Sequence, residues 1–272
     1  MPEKVFITDK KFDLKETLDC GQAFRWEEHS ENKWKGVAFD KELIIEQKEE
    51  KHIFHCSEEE FKNIWEDYFD LQEDYDAIRK RLSDLSPVLK EASSYAPGIR
   101  ILKQDPWEAV CSFIISQNNN IPRIKGIIKR LCELCGERVG ESYTFPKAEV
   151  IADKDVEFLA PIRSGFRAKY ILDAAKKFSL DKEFVSKISS LPLEEARKEL
   201  MTIKGIGPKV SDCALLYGFH RTECFPMDVW MKRAIDEYFD GHLDPTTLGK
   251  YAGVAQQYIF HYIRNLQNEN GK

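Results

Sequence analysis

The chain has 272 residues, 42% of them apolar and 12% aromatic, enough for one large core or two smaller ones. No run of about eighteen apolar residues occurs, so no membrane span is expected, and Met1-Pro-Glu-Lys-Val-Phe lacks the apolar centre of an export signal. A formal net charge of −6 weighs against a nucleic-acid partner, and the odd count of seven cysteines weighs against a disulfide framework. The chain reads as cytoplasmic, nucleoid-associated in a prokaryote, or as nuclear in a eukaryote. The charge is unevenly spread. Acidic residues crowd the first 98 positions (Glu27, Glu28, Glu46, Glu49, Glu50, Glu58 to Glu60). Basic ones recur later, at Arg123, Lys125, Lys129, Arg130, Arg163, Arg167, Lys169, Lys176 and Lys177. A basic face on the second half could hold a polyanion while the rest stays acidic.

In chain order, the first third predicts antiparallel hairpins. Phe24-Arg-Trp, Lys35-Gly-Val-Ala-Phe, Leu43-Ile-Ile-Glu and His52-Ile-Phe-His are short β-branched and aromatic runs, parted by Ser30-Glu-Asn-Lys and Lys48-Glu-Glu-Lys. Ser57 with Glu60 is a capping-box pattern that predicts a helix over Phe61-Lys-Asn-Ile-Trp-Glu-Asp-Tyr-Phe. Ala96-Pro-Gly breaks the chain and places a boundary between a sheet domain, 1–97, and a second domain, 98–272. Everything after it reads as helical. Trp107, Val110, Cys111, Ile114 and Ile115 form one 3.6-period stripe, and Ile124, Ile127, Ile128 and Leu131 another. Further helices are expected at 171–178, 194–201, 209–218, 229–239 and 248–266. The fold class is therefore α+β, without the strand–helix alternation of a parallel sheet. Cys132 and Cys135 make a lone C-x-x-C inside an apolar helix face, which suits core thiols better than zinc.

The sharpest motif is Leu200-Met-Thr-Ile-Lys-Gly-Ile-Gly-Pro-Lys-Val-Ser-Asp-Cys-Ala. One helix ends near Ile203, Gly205 and Gly207 allow a tight turn, and Pro208 suits the first position of the next helix. Amides at such a turn can hold a phosphate, which makes the segment a helix-hairpin-helix DNA backbone clamp. The bland alternative is a helical hairpin with packing glycines. Lys209 sits in the first turn, where the helix dipole and removal from water both favour a neutral, nucleophilic amine. Its bland alternative is a phosphate-binding surface lysine. Nineteen residues later, Asp228 in Phe225-Pro-Met-Asp-Val-Trp-Met-Lys-Arg is placed to cap a helix. A carboxylate held by backbone amides could also stabilise positive charge developing on a sugar.

With Lys209 and Asp228 in this order and spacing, the chain resembles the helix-hairpin-helix glycosylases with a Gly/Pro-rich loop and a catalytic Asp. The lysine implies a bifunctional glycosylase/lyase. No cysteine follows Cys224, which disfavours the iron-sulfur branch of that family. Leu18-Asp-Cys-Gly-Gln-Ala-Phe-Arg-Trp, Gln104-Asp-Pro-Trp-Glu with Phe113-Ile-Ile-Ser-Gln-Asn-Asn-Asn-Ile-Pro-Arg-Ile, and Tyr251-Ala-Gly-Val-Ala-Gln-Gln-Tyr-Ile-Phe are similar to 8-oxoguanine DNA glycosylases. Together with the hairpin they span nearly the whole chain.

The resemblance implies a set of roles. The Gly21 carbonyl would accept the lesion's N7 proton. Gln256 would bond the Watson–Crick edge of the flipped base, and Phe260 and Cys213 would sandwich it. Asn118 would fill the gap left in the duplex. Arg123 and Arg167 would bond the orphaned cytosine, and Phe166 would wedge beside it. Core packing is the bland alternative for Phe260 and Cys213, phosphate binding or surface ion pairing for the arginines, and simple packing for Gln22. Two positions depart from the pattern. Tyr217 stands where eukaryotic relatives carry a smaller or more flexible apolar residue, and Trp230 stands in place of a phosphate-contacting histidine. The expected partner is duplex DNA carrying an oxidised purine, bound by a monomer. No metal and no organic cofactor is called for. A glycosylase for another damaged purine and a non-catalytic DNA-binding module remain the alternatives.

Overall fold

The computed structural model describes residues 5–270, with side chains as far as Leu266. Most of the opening segment read above for an export signal, Met1 to Lys4, lies outside the described residues. The first third forms a five-stranded antiparallel sheet in the order β1-β5-β4-β3-β2, from β1 Phe6–Thr8, β2 Trp26–Ser30, β3 Lys33–Ala38, β4 Lys41–Lys48 and β5 Lys51–Phe54. The four anticipated runs fall on or beside β2 to β5, while β1 is an addition. It pairs with β5 through Phe6 opposite Phe54. The turns form where polar residues accept left-handed backbone, at Asn32 and Glu49.

Period-two alternation brings Trp26, Trp34, Leu43, Ile45 and Phe54 to one face. The helical stretch Glu58–Tyr68 covers that face with Phe61 and Trp65. The Phe54 and Phe61 rings meet edge-on at 4.8 Å. Ser57 caps this stretch, with Glu60 N–H donating to its Oγ at 3.1 Å. The capping box does not close, because the Glu60 carboxylate instead accepts the Trp65 indole N–H at 2.9 Å. The middle of the stretch, Phe61–Trp65, is a π turn rather than the regular helix expected.

Two helices not anticipated from the sequence follow, Tyr75–Leu85 and Pro87–Tyr95, capped by Asp74 and Ser86. They bury Ile78, Leu82 and Leu89 in the same core as the later helices. That core is built on Pro106–Ser116 and Pro208–Gly218, which pack along each other, with Ile121–Cys135, Ala168–Leu180, Val229–Tyr238 and Ala252–Asn270 around them. The wholly helical expectation needs one correction. A two-stranded ribbon, β6 Arg138–Val139 and β7 Ser142–Tyr143, interrupts it. The ribbon is tied to the sheet by Lys35, whose Nζ lies 2.7 Å from Glu141 and 3.3 Å from Glu42. All seven thiols are free, and Cys132 is buried. Among the described residues no helix is long and apolar enough to cross a membrane.

Candidate functional site

The hairpin forms as its residues dictate. The helix Leu193–Leu200 ends, Ile203 N–H reaches back to Leu200 O at 3.1 Å, and Ile206 N–H bonds Ile203 O at 3.1 Å. Gly205 has φ +83, and a methyl there would lie 2.3 Å from the Tyr170 ring. Gly207 occupies the N-cap of Pro208–Gly218 with no side-chain cap and with nothing within 4 Å of where a methyl would stand. The first amides of that helix therefore receive no side-chain cap, and the space beside Gly207 is open, an arrangement that suits an anion.

Lys209 is half-buried in the first turn of this helix, with Nζ 5.8 Å from the centre of the Phe113 ring. One turn on, burial pushes the Cys213 thiol up to about 11, against the opposing pull of the nearby Lys209 ammonium. The Asp228 carboxylate adds to the rise. Lys209 and Asp228 thus both lie within electrostatic reach of Cys213. Asp228 is the N-cap of Val229–Tyr238, its Oδ1 accepting Met231 N–H at 2.8 Å. Both acidic and basic members of the cluster stand at helix starts, so their backbones are fixed by the helices they begin. Trp230, beside Asp228, is 43% exposed, and the Arg233 guanidinium lies over its ring.

The C-terminal helix Ala252–Asn270 presents Gln256 and Phe260 four residues apart, on one face. Gln256 is buried, yet its Oε1 finds no hydrogen-bond partner among the described residues. Gly21 comes from the sheet half, in left-handed backbone at φ +86. A side chain there would meet Ile121 at 3.7 Å and Phe260 and Arg264 at 3.8 Å. The sequence-distant Gly21 and Phe260 are therefore neighbours.

Asn118 and Arg123 are exposed where the helix Pro106–Ser116 turns into Ile121–Cys135. Asn118 has φ +47, left-handed backbone that asparagine adopts more readily than most other non-glycine residues. Phe166 is 51% exposed. Arg167 departs from expectation. It is buried, and its guanidinium is spent on the carbonyls of Gln117, Asn118 and Ser164, holding the Asn118 turn rather than reaching outward. Its closest outward contact is the Phe166 ring, 4.4 Å away.

Sequence reasoning gave no role to Phe113, which opens one of the quoted segments but carries no signal of its own. It also missed Gln104, which gave no signal between Lys103 and Asp105, and Gln257, whose signal was an amide inside a largely apolar run. Gln22 proves to be structural: its side chain bonds Thr17 O, Arg100 O and Leu102 N–H.

Residues 4–110 match the family model described as 8-oxoguanine DNA glycosylase, N-terminal domain. Residues 111–247 match the HhH-GPD superfamily base excision DNA repair protein model. A curated relative from Saccharomyces cerevisiae, an N-glycosylase/DNA lyase, is 33% identical over 85% of this chain and 69% of its own length. A solved structure of MBOgg1 with a low-affinity DNA ligand is 41% identical, covers 100% of this chain and 98% of its own, and superposes with a TM-score of 0.91. The Clostridium acetobutylicum 8-oxoguanine glycosylase/lyase, bound to duplex DNA with cytosine opposite 8-oxoguanine, is 33% identical over 98% of each chain, with a TM-score of 0.87.

Proposed function

The chain belongs to the 8-oxoguanine DNA glycosylase/lyase family within the HhH-GPD superfamily, and we propose that it releases 8-oxoguanine from duplex DNA by attack of Lys209 on the sugar. The observation that carries the reading is the unpartnered Gln256 Oε1, buried on the helix that also presents Phe260 beside Gly21. A buried acceptor left empty costs about 1–3 kcal/mol, which a ligand donor can recover. The N1–H and N2–H groups of an oxopurine supply such donors. On the opposite edge, the Gly21 carbonyl would accept the N7 proton that distinguishes 8-oxoguanine from guanine, whose N7 is itself an acceptor. Phe260 and Cys213 would close the two faces of the base.

DNA would be held by the open amides at Gly207 and bent about Asn118 and Phe166. Extruding the nucleotide costs a few kcal/mol, roughly what an apolar wedge and phosphate contacts can offset. Arg123 would meet the orphaned cytosine. Arg167 acts one step back, by fixing the Asn118 turn.

The Lys209 nitrogen attacks C1′ as the C1′–N9 bond breaks, and the base leaves with that electron pair and takes up the proton that the lysine nitrogen sheds. The Asp228 carboxylate, fixed at its helix cap, stabilises the positive charge on the sugar. The lysine adduct opens to a Schiff base. Loss of a C2′ proton then expels the 3′ phosphate, and water frees the lysine.

The test is borohydride trapping on duplexes that vary both lesion and opposite base. Lys209→Gln should bind DNA as the parent does and form no trapped adduct. An adduct that persists removes Lys209 from the nucleophile's role.

A further inference from the structure

The peptide that carries the Gly21 carbonyl is pinned on both sides. Gln257 Nε2 donates to Cys20 O at 3.0 Å, and Gln104 Nε2 donates to Gln22 O at 2.7 Å. Both amides lead back to one residue. The Tyr217 hydroxyl donates to Gln257 Oε1 at 2.5 Å, and the Tyr217 carbonyl accepts Gln104 N–H at 3.0 Å. Tyr217, Gln257, Gln104 and Gln22 are all buried, so no solvent competes for these bonds. The Tyr217 ring stacks on Phe113, with centres 5.2 Å apart and planes 17° from parallel, and Phe113 is the ring beneath the Lys209 ammonium.

We infer that Tyr217 is a positioning residue that fixes the plane of the Gly21 peptide relative to Lys209, and so sets selectivity for the oxidised base. The inference rests on the reading that Gly21 carbonyl accepts the lesion's N7 proton. Its logic is geometric. With the carbonyls of Cys20 and Gln22 both held, the peptide between them has little freedom to turn. A tilted Gly21 carbonyl would lose the N7–H contact and with it the means of rejecting guanine. An apolar residue at 217 could fill the space but could not bridge to Gln257.

The experiment compares two activities of the whole protein. Base release from an 8-oxoguanine·cytosine duplex needs the Gly21 carbonyl. Strand cleavage at a preformed abasic site needs Lys209 but no base reading. Tyr217→Phe keeps the ring stack and the main-chain bond to Gln104 while releasing Gln257. Base release in this variant should fall on the order of tenfold, the effect of losing one buried hydrogen bond. Abasic-site cleavage should stay within about twofold of the parent. Gln257→Leu should give the same split, and the double variant should be no worse than either single one, as expected of one pathway. Unchanged base release in Tyr217→Phe, an equal fall in both activities, or additive losses in the double variant each overturn the inference. A parent chain that releases no 8-oxoguanine overturns the Gly21 reading itself, and this inference with it.

Discussion

The helical half holds Lys209 and Asp228 at the starts of two helices, with Cys213 one turn beyond Lys209, whereas the sheet half reaches the same place with one loop, Cys20–Gly21. The difference separates two kinds of work. Groups proposed to act on the sugar sit where helix starts fix their backbones. The proposed reader of the base is a main-chain carbonyl, which needs no side-chain chemistry and depends only on being held still. The largest expected effect tests the first of these. Asp228→Asn keeps an oxygen able to cap Met231, since Asn caps about as well as Asp, and removes only the charge. Base release measured in a single turnover should fall on the order of 10²–10³-fold, the usual loss when a transition-state charge loses its partner. DNA affinity and thermal stability should stay close to the parent values. Normal turnover with a large affinity loss would leave Asp228 a cap alone.

The hairpin offers the next test. Gly205 is required by the fold itself, because its backbone is left-handed and a methyl would overlap the Tyr170 ring at 2.3 Å. Gly205→Ala combines the cost of that backbone with forced repacking, about 3 kcal/mol together. A thermal melt should shift down by roughly 6 to 12 °C for a chain of this size. A melt within 1 °C of the parent would show that Tyr170 yields freely and that the turn is not fixed by packing.

Much of this was legible in the sequence because it is written in local chemistry. A Gly-Ile-Gly-Pro-Lys turn, an aspartate before an amphipathic run and period-two aromatic strands each dictate their structure within a few residues. What was not legible depends on distance. Phe113 looks like any apolar helix position until the fold sets it beneath Lys209. Arg167 has the same charge whether it faces DNA or, as here, bonds three carbonyls of its own chain. The helices Tyr75–Leu85 and Pro87–Tyr95 follow the sheet in sequence yet bury their apolar faces in the helical core, and only the tertiary contacts reveal this. Gln257 stands out as an amide in a largely apolar run, but Gln104 between Lys103 and Asp105 does not, and nothing in the sequence joins either to Tyr217.

The sheet half should also respond to acid through a buried histidine. In the sheet half His52 is buried and stacked on Phe12, ring centres 3.9 Å apart, and burial holds it at about 4 instead of the ordinary 6.5. The unfolded chain takes up a proton near 6.5 that the folded chain refuses until about 4. His52 therefore contributes stability that is complete above pH 6.5 and is lost as pH falls toward 4. The contribution is about 2 to 3 kcal/mol. Glu16 and Glu108, pushed up to about 7 by burial, act with the opposite sign in an overlapping range. The useful quantity is thus the difference between parent and His52→Leu in urea unfolding. That difference should change by about 2 to 3 kcal/mol between pH 7 and pH 4, in favour of the variant in acid. A difference that is flat with pH would mean His52 is protonated equally in both states.

The smallest expected effect on stability belongs to Gly207, two residues from Gly205. Its backbone, at φ −99, is one that any residue adopts, and a methyl there would meet nothing within 4 Å. Nothing in the folded chain requires a glycine at this position. What a methyl would occupy is the open space in front of the uncapped amides, where a phosphate would approach most closely. Gly207→Ala should therefore melt within about 0.5 kcal/mol of the parent, as surface substitutions do. Its affinity for undamaged duplex should nevertheless fall several-fold, together with a shallower dependence on salt, because a contact to the phosphate backbone is lost. Gly205→Ala should show the reverse order of effects, with stability lost first and binding altered only as the turn loosens. If the two substitutions weaken stability and binding in equal proportion, the hairpin is a packing device and the DNA must be gripped elsewhere.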